Sequence, residues 1–196
     1  MTASVKSPSD TERGMPMEIL GMYLFIASEF ILFLTLLFIL FWLRAGHEND
    51  WPPEGQPRLP IGITGINTLF LMISGYTMFR AFRGVRHNRG KELTKGLMLT
   101  CIFGVVFLTV QGFEWIRLIS FGLYASSSLY AAMFYVIIGL HGLHVVITVI
   151  ALLYLWVKST TGSYTPENHM GVTLGFMFWL FVVVIWPILY VTVYLL

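Results

Sequence analysis

The stretch EILGMYLFIASEFILFLTLLFILFWL, residues Glu18 to Leu43, carries one charged side chain after its first residue, Glu29. About 20 apolar residues in succession are enough for an α-helix to cross the hydrocarbon core of a bilayer. The stretch therefore predicts a membrane-spanning helix. A charge deep in such a helix costs about 2.5–3.5 kcal/mol on insertion scales, so Glu29 is a functional-site hypothesis by default.

The composition of the whole chain supports the same class. Charged residues make up 11% and apolar residues 57% of its 196 residues, whereas soluble domains carry about 25% charge. The apolar runs lack the two-residue alternation of a membrane β-barrel. We predict an all-α, polytopic membrane protein built as a five-helix bundle, with helices near Glu18–Leu43, Ile61–Phe82, Lys91–Phe121, Ser127–Lys158 and Met170–Leu196.

The chain is long enough for one compact bundle and shows no second domain. Residues 1–16 are polar, rich in Ser and Thr, and lack the short apolar core and cleavage site of a signal peptide. We interpret them as a poorly ordered cytoplasmic tail, and residues 17–196 as the five-helix transmembrane domain.

The distribution of basic residues predicts the orientation. Six of the twelve Lys and Arg residues surround the link between the second and third helices: Arg80, Arg83, Arg86, Arg89, Lys91 and Lys95. The positive-inside rule places this link in the cytoplasm. The N-terminus then lies inside, the C-terminus outside, and the acidic link with Glu48, Asp50 and Glu54 outside. We interpret the basic cluster as a topology signal that also meets anionic headgroups, rather than as a dedicated lipid or nucleic-acid site.

Two carboxylates fall inside predicted helices. Glu29 lies near the middle of the first helix, and Glu114 lies in the outer half of the third. Each could exchange protons, or each could be a structural, hydrogen-bonded acid that is protonated because desolvation disfavours its charged form. The two alternatives are balanced for Glu29, whereas the structural role is favoured for Glu114. Arg117 lies three residues after Glu114 on the same helix face, so a local ion pair is expected there.

His141 and His144 also share one helix face, in the segment Gly139-Leu140-His141-Gly142-Leu143-His144. Metal or haem ligation would need further ligands from another membrane helix, and the other histidines fall in links or at a helix end. We therefore predict interhelical hydrogen bonds for this pair and no metal site. The single cysteine, Cys101, supplies no CxxC motif, and we interpret it as a small, buried packing residue. No serine or cysteine nucleophile has an identifiable base, so no catalytic residue is assigned.

Six motifs then follow one another along the chain: Ser28-Glu29; Trp51-Pro52-Pro53-Glu54-Gly55; Leu59-Pro60 with Ile66-Asn67-Thr68 and Ser74-Gly75; Gln111-Gly112-Phe113-Glu114-Trp115; Gly139 to Val145; and Phe178-Trp179 with Trp186 and Tyr190. This series resembles subunit III of the haem–copper terminal oxidases, the cytochrome c and quinol oxidases. The resemblance covers nearly the whole chain after the N-terminal tail. The five helices resemble the short bacterial form, which lacks the first two helices of the seven-helix form.

The resemblance implies an accessory subunit without a redox centre, in a respiratory complex that reduces oxygen to water and pumps protons. Haem and copper would lie in partner subunits, among them the catalytic subunit I. This subunit would stabilise subunit I, support proton uptake and bind phospholipid. Glu29 matches the family's intramembrane carboxylate that reacts with carbodiimides. The implied location is a bacterial or archaeal cytoplasmic membrane.

The last helix departs from the family's usual Trp-His-Phe-Val-Asp pattern. The corresponding residues are Trp179-Leu180-Phe181-Val182-Val183, so Leu180 and Val183 replace the polar pair. This indicates a divergent branch and predicts fewer polar neighbours for Glu29. One alternative is a subunit III-like protein of a nitric oxide reductase. Another is a small proton-coupled transporter, although no internal repeat of the kind common in transporters is present.

Overall fold

Five long helices form the described part of the chain in a computed structural model, which describes residues 15–46, Trp51, Pro53 and residues 59–196. They are α1 (Met17–Gly46), α2 (Ile61–Arg86), α3 (Gly90–Ser120), α4 (Leu129–Thr160) and α5 (Met170–Tyr190), and a π-helical turn, Val191–Leu195, follows α5. No strand occurs among these residues. All five helices are long and apolar enough to cross a membrane, so the all-α, five-helix prediction is confirmed.

The helix ends differ from the sequence prediction by a few residues, each for a local reason. Helix α2 continues past Phe82 to Arg86, because basic side chains in the last turn interact favourably with the free carbonyl groups there. Helix α4 begins at Leu129, because the Ser128 side chain accepts a hydrogen bond from the Ala131 backbone N–H at 3.0 Å. Serine at this position caps a helix rather than extending it.

The α-helical part of the last span ends earlier than predicted. Pro187 lies inside α5 and has no backbone N–H to donate to the preceding turn. The chain then widens into the π-helical turn, in which the Leu196 N–H donates to the Val191 carbonyl at 3.1 Å. This turn places the Tyr194 side chain inside the bundle, where it is buried.

Helices α2 and α3 form the closest pair in the bundle. Gly96 faces Ala81 so closely that a Cβ added to this glycine would lie 2.7 Å from the Ala81 Cβ. Near the connecting turn, a Cβ on Gly84 would lie 2.9 Å from the Leu93 backbone nitrogen. The hydroxyl groups of Thr77 and Thr100 meet at 2.8 Å. Small residues thus let the two backbones approach, as expected for helices packed in a membrane.

Helices α4 and α5 complete a four-helix core with α2 and α3, whereas α1 lies at its periphery against α4 and α5. The largest side chains in the core include Trp179, Trp186, Phe107 and Phe134. Helix α1 buries only Phe33, Leu37 and Leu40. Most of its apolar surface is therefore left for lipid or for a partner protein.

Several sequence predictions fall outside the described residues. They concern residues 1–14 of the predicted tail, and His47, Glu48, Asp50 and Glu54 in the link between α1 and α2. Of the predicted tail, the structure describes residues 15 and 16 alone.

The contact between Gly96 and Ala81 yields a stability prediction. Gly96→Ala should force α2 and α3 apart and lower the free energy of unfolding by about 1–3 kcal/mol, as overpacking does. Gly112→Ala, also in α3, is the matched control because an added Cβ there has no neighbour within 4 Å. Thermal unfolding of the detergent-solubilised variants, followed by circular dichroism, measures the difference. A Gly96→Ala midpoint at or above that of Gly112→Ala would contradict the close packing.

Candidate functional site

The intramembrane carboxylate of α1 meets a histidine of α4. Glu29 Oε2 lies 2.9 Å from His144 Nε2, and 16% of the Glu29 side chain and 12% of the His144 side chain remain exposed. The two groups come from residues 115 positions apart in the chain. This contact joins the peripheral helix to the four-helix core through polar atoms.

The hydrogen bonds of His144 define how many protons the contact contains. Its Nδ1 lies 2.7 Å from the Leu140 carbonyl oxygen, and a carbonyl oxygen only accepts, so Nδ1 carries a hydrogen. One proton then remains to be shared between Nε2 and the Glu29 carboxyl. The pair is either a carboxylic acid donating to a neutral imidazole or an imidazolium donating to a carboxylate. Both forms have zero net charge.

The surroundings of the pair are aromatic. The Phe33 ring centroid lies 5.4 Å from that of His144, and the Phe178 centroid lies 6.2 Å away. The Ser28 hydroxyl next to Glu29 donates instead to the Phe25 carbonyl at 2.7 Å. Separated charges are poorly solvated in such a setting, because burial of an ion pair costs several kcal/mol per ion before their attraction is counted. We therefore expect the uncharged form, in which Glu29 donates to His144.

His141 has a different environment from His144. Its ring stacks on Trp186 with a centroid distance of 4.8 Å, and it also packs against Phe107 and Phe33. It is fully buried, and neither ring nitrogen has a hydrogen-bond partner among the described residues. The hydrogen bonds expected for His141 are therefore not formed there, because its side of α4 faces the aromatic core rather than a polar helix face.

Glu114 points into the core and does not pair with Arg117. Glu114 is 1% exposed, and its carboxyl oxygens have no hydrogen-bond partner in the described part of the chain. The Arg117 guanidinium lies 5.7 Å above the Phe121 ring instead. Arginine near a helix end extends its charged head towards water. The ion pair expected between them is therefore absent, since the two side chains leave the helix towards different environments.

Two buried amide side chains form hydrogen bonds between helices that the sequence pattern did not predict. The Asn67 side chain of α2 donates to the Phe107 carbonyl of α3 at 3.0 Å. Gln111, one turn before Glu114, donates from Nε2 to the Tyr194 hydroxyl at 3.1 Å. Amide side chains within apolar spans were the available signal, because polar groups in a membrane helix face the interior of the bundle.

The two positions at which the last helix departs from the family pattern differ in burial. Val183 is buried against α2, with its Cγ1 only 3.0 Å from a Cβ built on Gly75. Leu180 is exposed on the outside of the bundle. The nearest polar partner of Glu29 comes from α4. The apolar residues at 180 and 183 therefore do not leave Glu29 without a polar neighbour.

No three His, Cys, Asp or Glu side chains come together as a metal site would require within the described ranges. Cys101 is buried, as predicted for a packing residue.

Comparison with known proteins places the chain beside one family. The family model described as cytochrome c oxidase subunit III matches residues 10–196. The chain is 35% identical over 177 residues to cytochrome c oxidase subunit 3 of Synechocystis sp., covering 90% of this chain and 74% of that protein. It is 34% identical to the protein of the same name from Thermostichus vulcanus, over 91% of this chain and 87% of the other. The Drosophila melanogaster protein of that name is 30% identical, and the match covers 89% of this chain and 67% of that protein.

Substitutions of Glu29 test the state of its proton. Glu29→Gln should preserve stability, because its amide N–H can donate to His144 Nε2 as a carboxylic acid would. Glu29→Ala leaves Nε2 without a partner and should cost about 1–2 kcal/mol, the upper range measured for hydrogen bonds between membrane helices. Thermal unfolding of the solubilised variants measures both changes.

Glu18, exposed in the first turn of α1, supplies the control for this comparison. Glu18→Gln and Glu18→Ala should differ little from each other, since neither removes a contact between helices. If Glu29→Gln is as damaging as Glu29→Ala, the pair contains an ionised carboxylate and the uncharged form is wrong.

Proposed function

This chain belongs to the cytochrome c oxidase subunit III family, and on that premise we propose how it serves its complex. It is an accessory subunit of a haem–copper terminal oxidase and part of a membrane-bound oxidoreductase complex. In our proposal, the complex reduces oxygen to water with proton pumping, and haem and copper lie in its other subunits. The chain stabilises the catalytic subunit I, supports proton uptake and binds phospholipid.

The Glu29–His144 contact is the observation that carries this proposal. A carboxyl and an imidazole at 2.9 Å share one proton at a partly exposed position inside the membrane span. Such a pair can pass its proton between two atoms without creating a net charge. Glu29 is therefore the proton-related residue in our proposal, whereas Glu114, fully buried, has the structural role.

The surface of the bundle supports an assembly role. Helix α1 is apolar on nearly all sides and buries three residues within this chain. Helix α3 also leaves large apolar side chains exposed, among them Phe113 and Ile116. We place subunit I against α1 or α3. If subunit I packs against α1, it would cover the exposed side of the Glu29–His144 pair and shield the pair from lipid.

The orientation is part of the same proposal. The turn between α2 and α3 carries the basic cluster, so it lies in the cytoplasm by the positive-inside rule. The N-terminus then lies inside and the C-terminus outside, in a bacterial or archaeal cytoplasmic membrane. In this orientation the N-terminal end of α5, at Met170, is also cytoplasmic.

Purification of the native complex tests the accessory role. An affinity-tagged chain, solubilised gently from its own membranes, should retain a larger subunit that shows haem absorption in a reduced-minus-oxidised spectrum. The preparation should consume oxygen with a quinol or cytochrome c as donor. Recovery of the chain without haem protein would favour the transporter alternative. Consumption of nitric oxide instead of oxygen would favour the reductase alternative.

The Glu29 variants also test the role in turnover. In complexes that assemble with a normal haem content, Glu29→Ala should inactivate faster during continuous oxygen consumption, because the proton-sharing pair is gone. Glu29→Gln keeps the hydrogen bond but lacks an exchangeable carboxyl proton, so it separates structure from proton exchange. We expect Gln to match Ala in inactivation rate while matching the parent protein in thermal stability. If both variants inactivate at the same rate as the parent protein, Glu29 does not support proton uptake and this part of the proposal is wrong.

A further inference from the structure

Both ring nitrogens of His144 are already in use. Nδ1 lies 2.7 Å from the Leu140 carbonyl oxygen, and Nε2 lies 2.9 Å from Glu29 Oε2. A peptide carbonyl accepts a hydrogen bond but has no proton of its own to pass on. The proton that Glu29 and His144 share therefore arrives and leaves through the Glu29 carboxyl.

His141, three residues earlier in α4, is the nearest further proton acceptor along this helix. It is 1% exposed, and neither of its ring nitrogens has a hydrogen-bond partner among the described residues. A proton that moved from the Glu29–His144 pair deeper into the bundle would have to reach this imidazole. The side chains around His141 decide whether it can.

Phe33 of α1 contacts both histidines. Its ring centroid lies 5.4 Å from that of His144 and 6.3 Å from that of His141. Phe33 is fully buried and follows Glu29 by about one helical turn. A phenyl ring cannot relay a proton, and a buried water needs several polar partners, which the ring does not offer. Phe33 thus excludes a relay on the side of His141 that faces the pair.

Two further aromatic rings cover His141 from α3 and α5. Trp186 stacks on it with a centroid distance of 4.8 Å, and Phe107 meets it edge-on at 6.1 Å. The indole N–H of Trp186 is directed elsewhere, because it donates to the Thr68 hydroxyl at 2.9 Å. These rings bring no proton donor or acceptor to His141.

We propose that the Glu29–His144 pair is a proton-exchange site with a single opening, at the surface of α1, and that Phe33 is the positioning residue that closes it towards the core. The Glu29 side chain is 16% exposed, whereas His141 is enclosed. The subunit then exchanges protons with the partner that covers α1 and does not conduct them through its own bundle. This inference deepens the proposed function and rests on it for the proton-related role of Glu29.

Two matched variants test the closure. Phe33→Ala and Phe107→Ala remove the same side chain from fully buried positions beside His141. Of the two rings, Phe33 is the one that also contacts His144. Its loss joins the spaces around the two imidazoles, so water that enters beside Glu29 reaches His141 between polar groups. Phe33→Leu is the conservative variant, because leucine keeps this space apolar.

Hydrogen exchange in heavy water measures how far protons travel. The full chain, isotope-labelled at its histidine nitrogens, is placed in lipid nanodiscs, and the His141 ring N–H signal is followed by NMR and identified by its loss in His141→Gln. The infrared bands that disappear in Glu29→Gln report the shared proton. In the parent protein these bands should shift in heavy water while the His141 signal persists. Phe33→Ala should lose the His141 signal, whereas Phe107→Ala and Phe33→Leu should keep it.

Three outcomes would overturn the proposal. They are exchange of the His141 N–H as fast as that of the shared proton in the parent protein, persistence of the His141 signal in Phe33→Ala, and equal loss in both alanine variants, which a generally loosened core would give. The comparison within the parent protein needs no variant, so it decides the matter if an alanine variant fails to fold. None of these measurements depends on turnover, so the inactivation rates of the Glu29 variants report separately on the proposed function.

Discussion

The whole bundle depends on one constraint: a polar group inside the hydrocarbon has no water, so it must find its partner within the protein. Glu29 satisfies this through His144, and in doing so it fixes α1 to α4 near the middle of the α1 helix. The helix buries few residues of its own, so this hydrogen bond adds orientation that apolar packing alone would not supply. The same contact that holds the peripheral helix is also the proton-sharing pair.

Packing of α2 on α3 follows from the same absence of water. Helices in lipid gain little from burying apolar surface against each other, so close van der Waals contact between their backbones stabilises the pair instead. Gly96 against Ala81 and Gly84 against Leu93 provide that contact. Tight packing near the turn also brings Arg80 of α2 close to Lys91 and Lys95 of α3 around one cleft. The proximity of these three basic side chains is thus a consequence of helix packing as well as of their positions in the sequence.

The sequence predicted the number and type of helices well, because runs of more than 20 apolar residues leave few alternatives. It did not predict which polar groups would meet. The three-residue spacing of His141 and His144 places them on one side of α4, but the rotation of α4 against its neighbours decides that only His144 reaches Glu29. For Glu114 and Arg117, the same spacing predicted an ion pair. The pair does not form, because Glu114 is buried in the core whereas the Arg117 guanidinium extends outwards over Phe121. The rotation of each helix about its own axis is set by its packing against the neighbouring helices, and a single sequence does not reveal that packing.

The two membrane carboxylates differ in a way that separates their roles. A group that exchanges protons needs a partner that can take the proton and a route by which the proton arrives. Glu29 meets the first requirement, because its carboxyl oxygen lies 2.9 Å from His144 Nε2. In our proposal, the subunit that covers the partly exposed pair supplies the route. Glu114 is buried beside Gln111, whose amide is already directed at Tyr194. An unpaired buried charge is costly, which is why our proposal gives Glu114 the structural role. Our proposal therefore assigns the exchangeable proton of this subunit to the contact between α1 and α4, next to the surface that α1 offers to a partner.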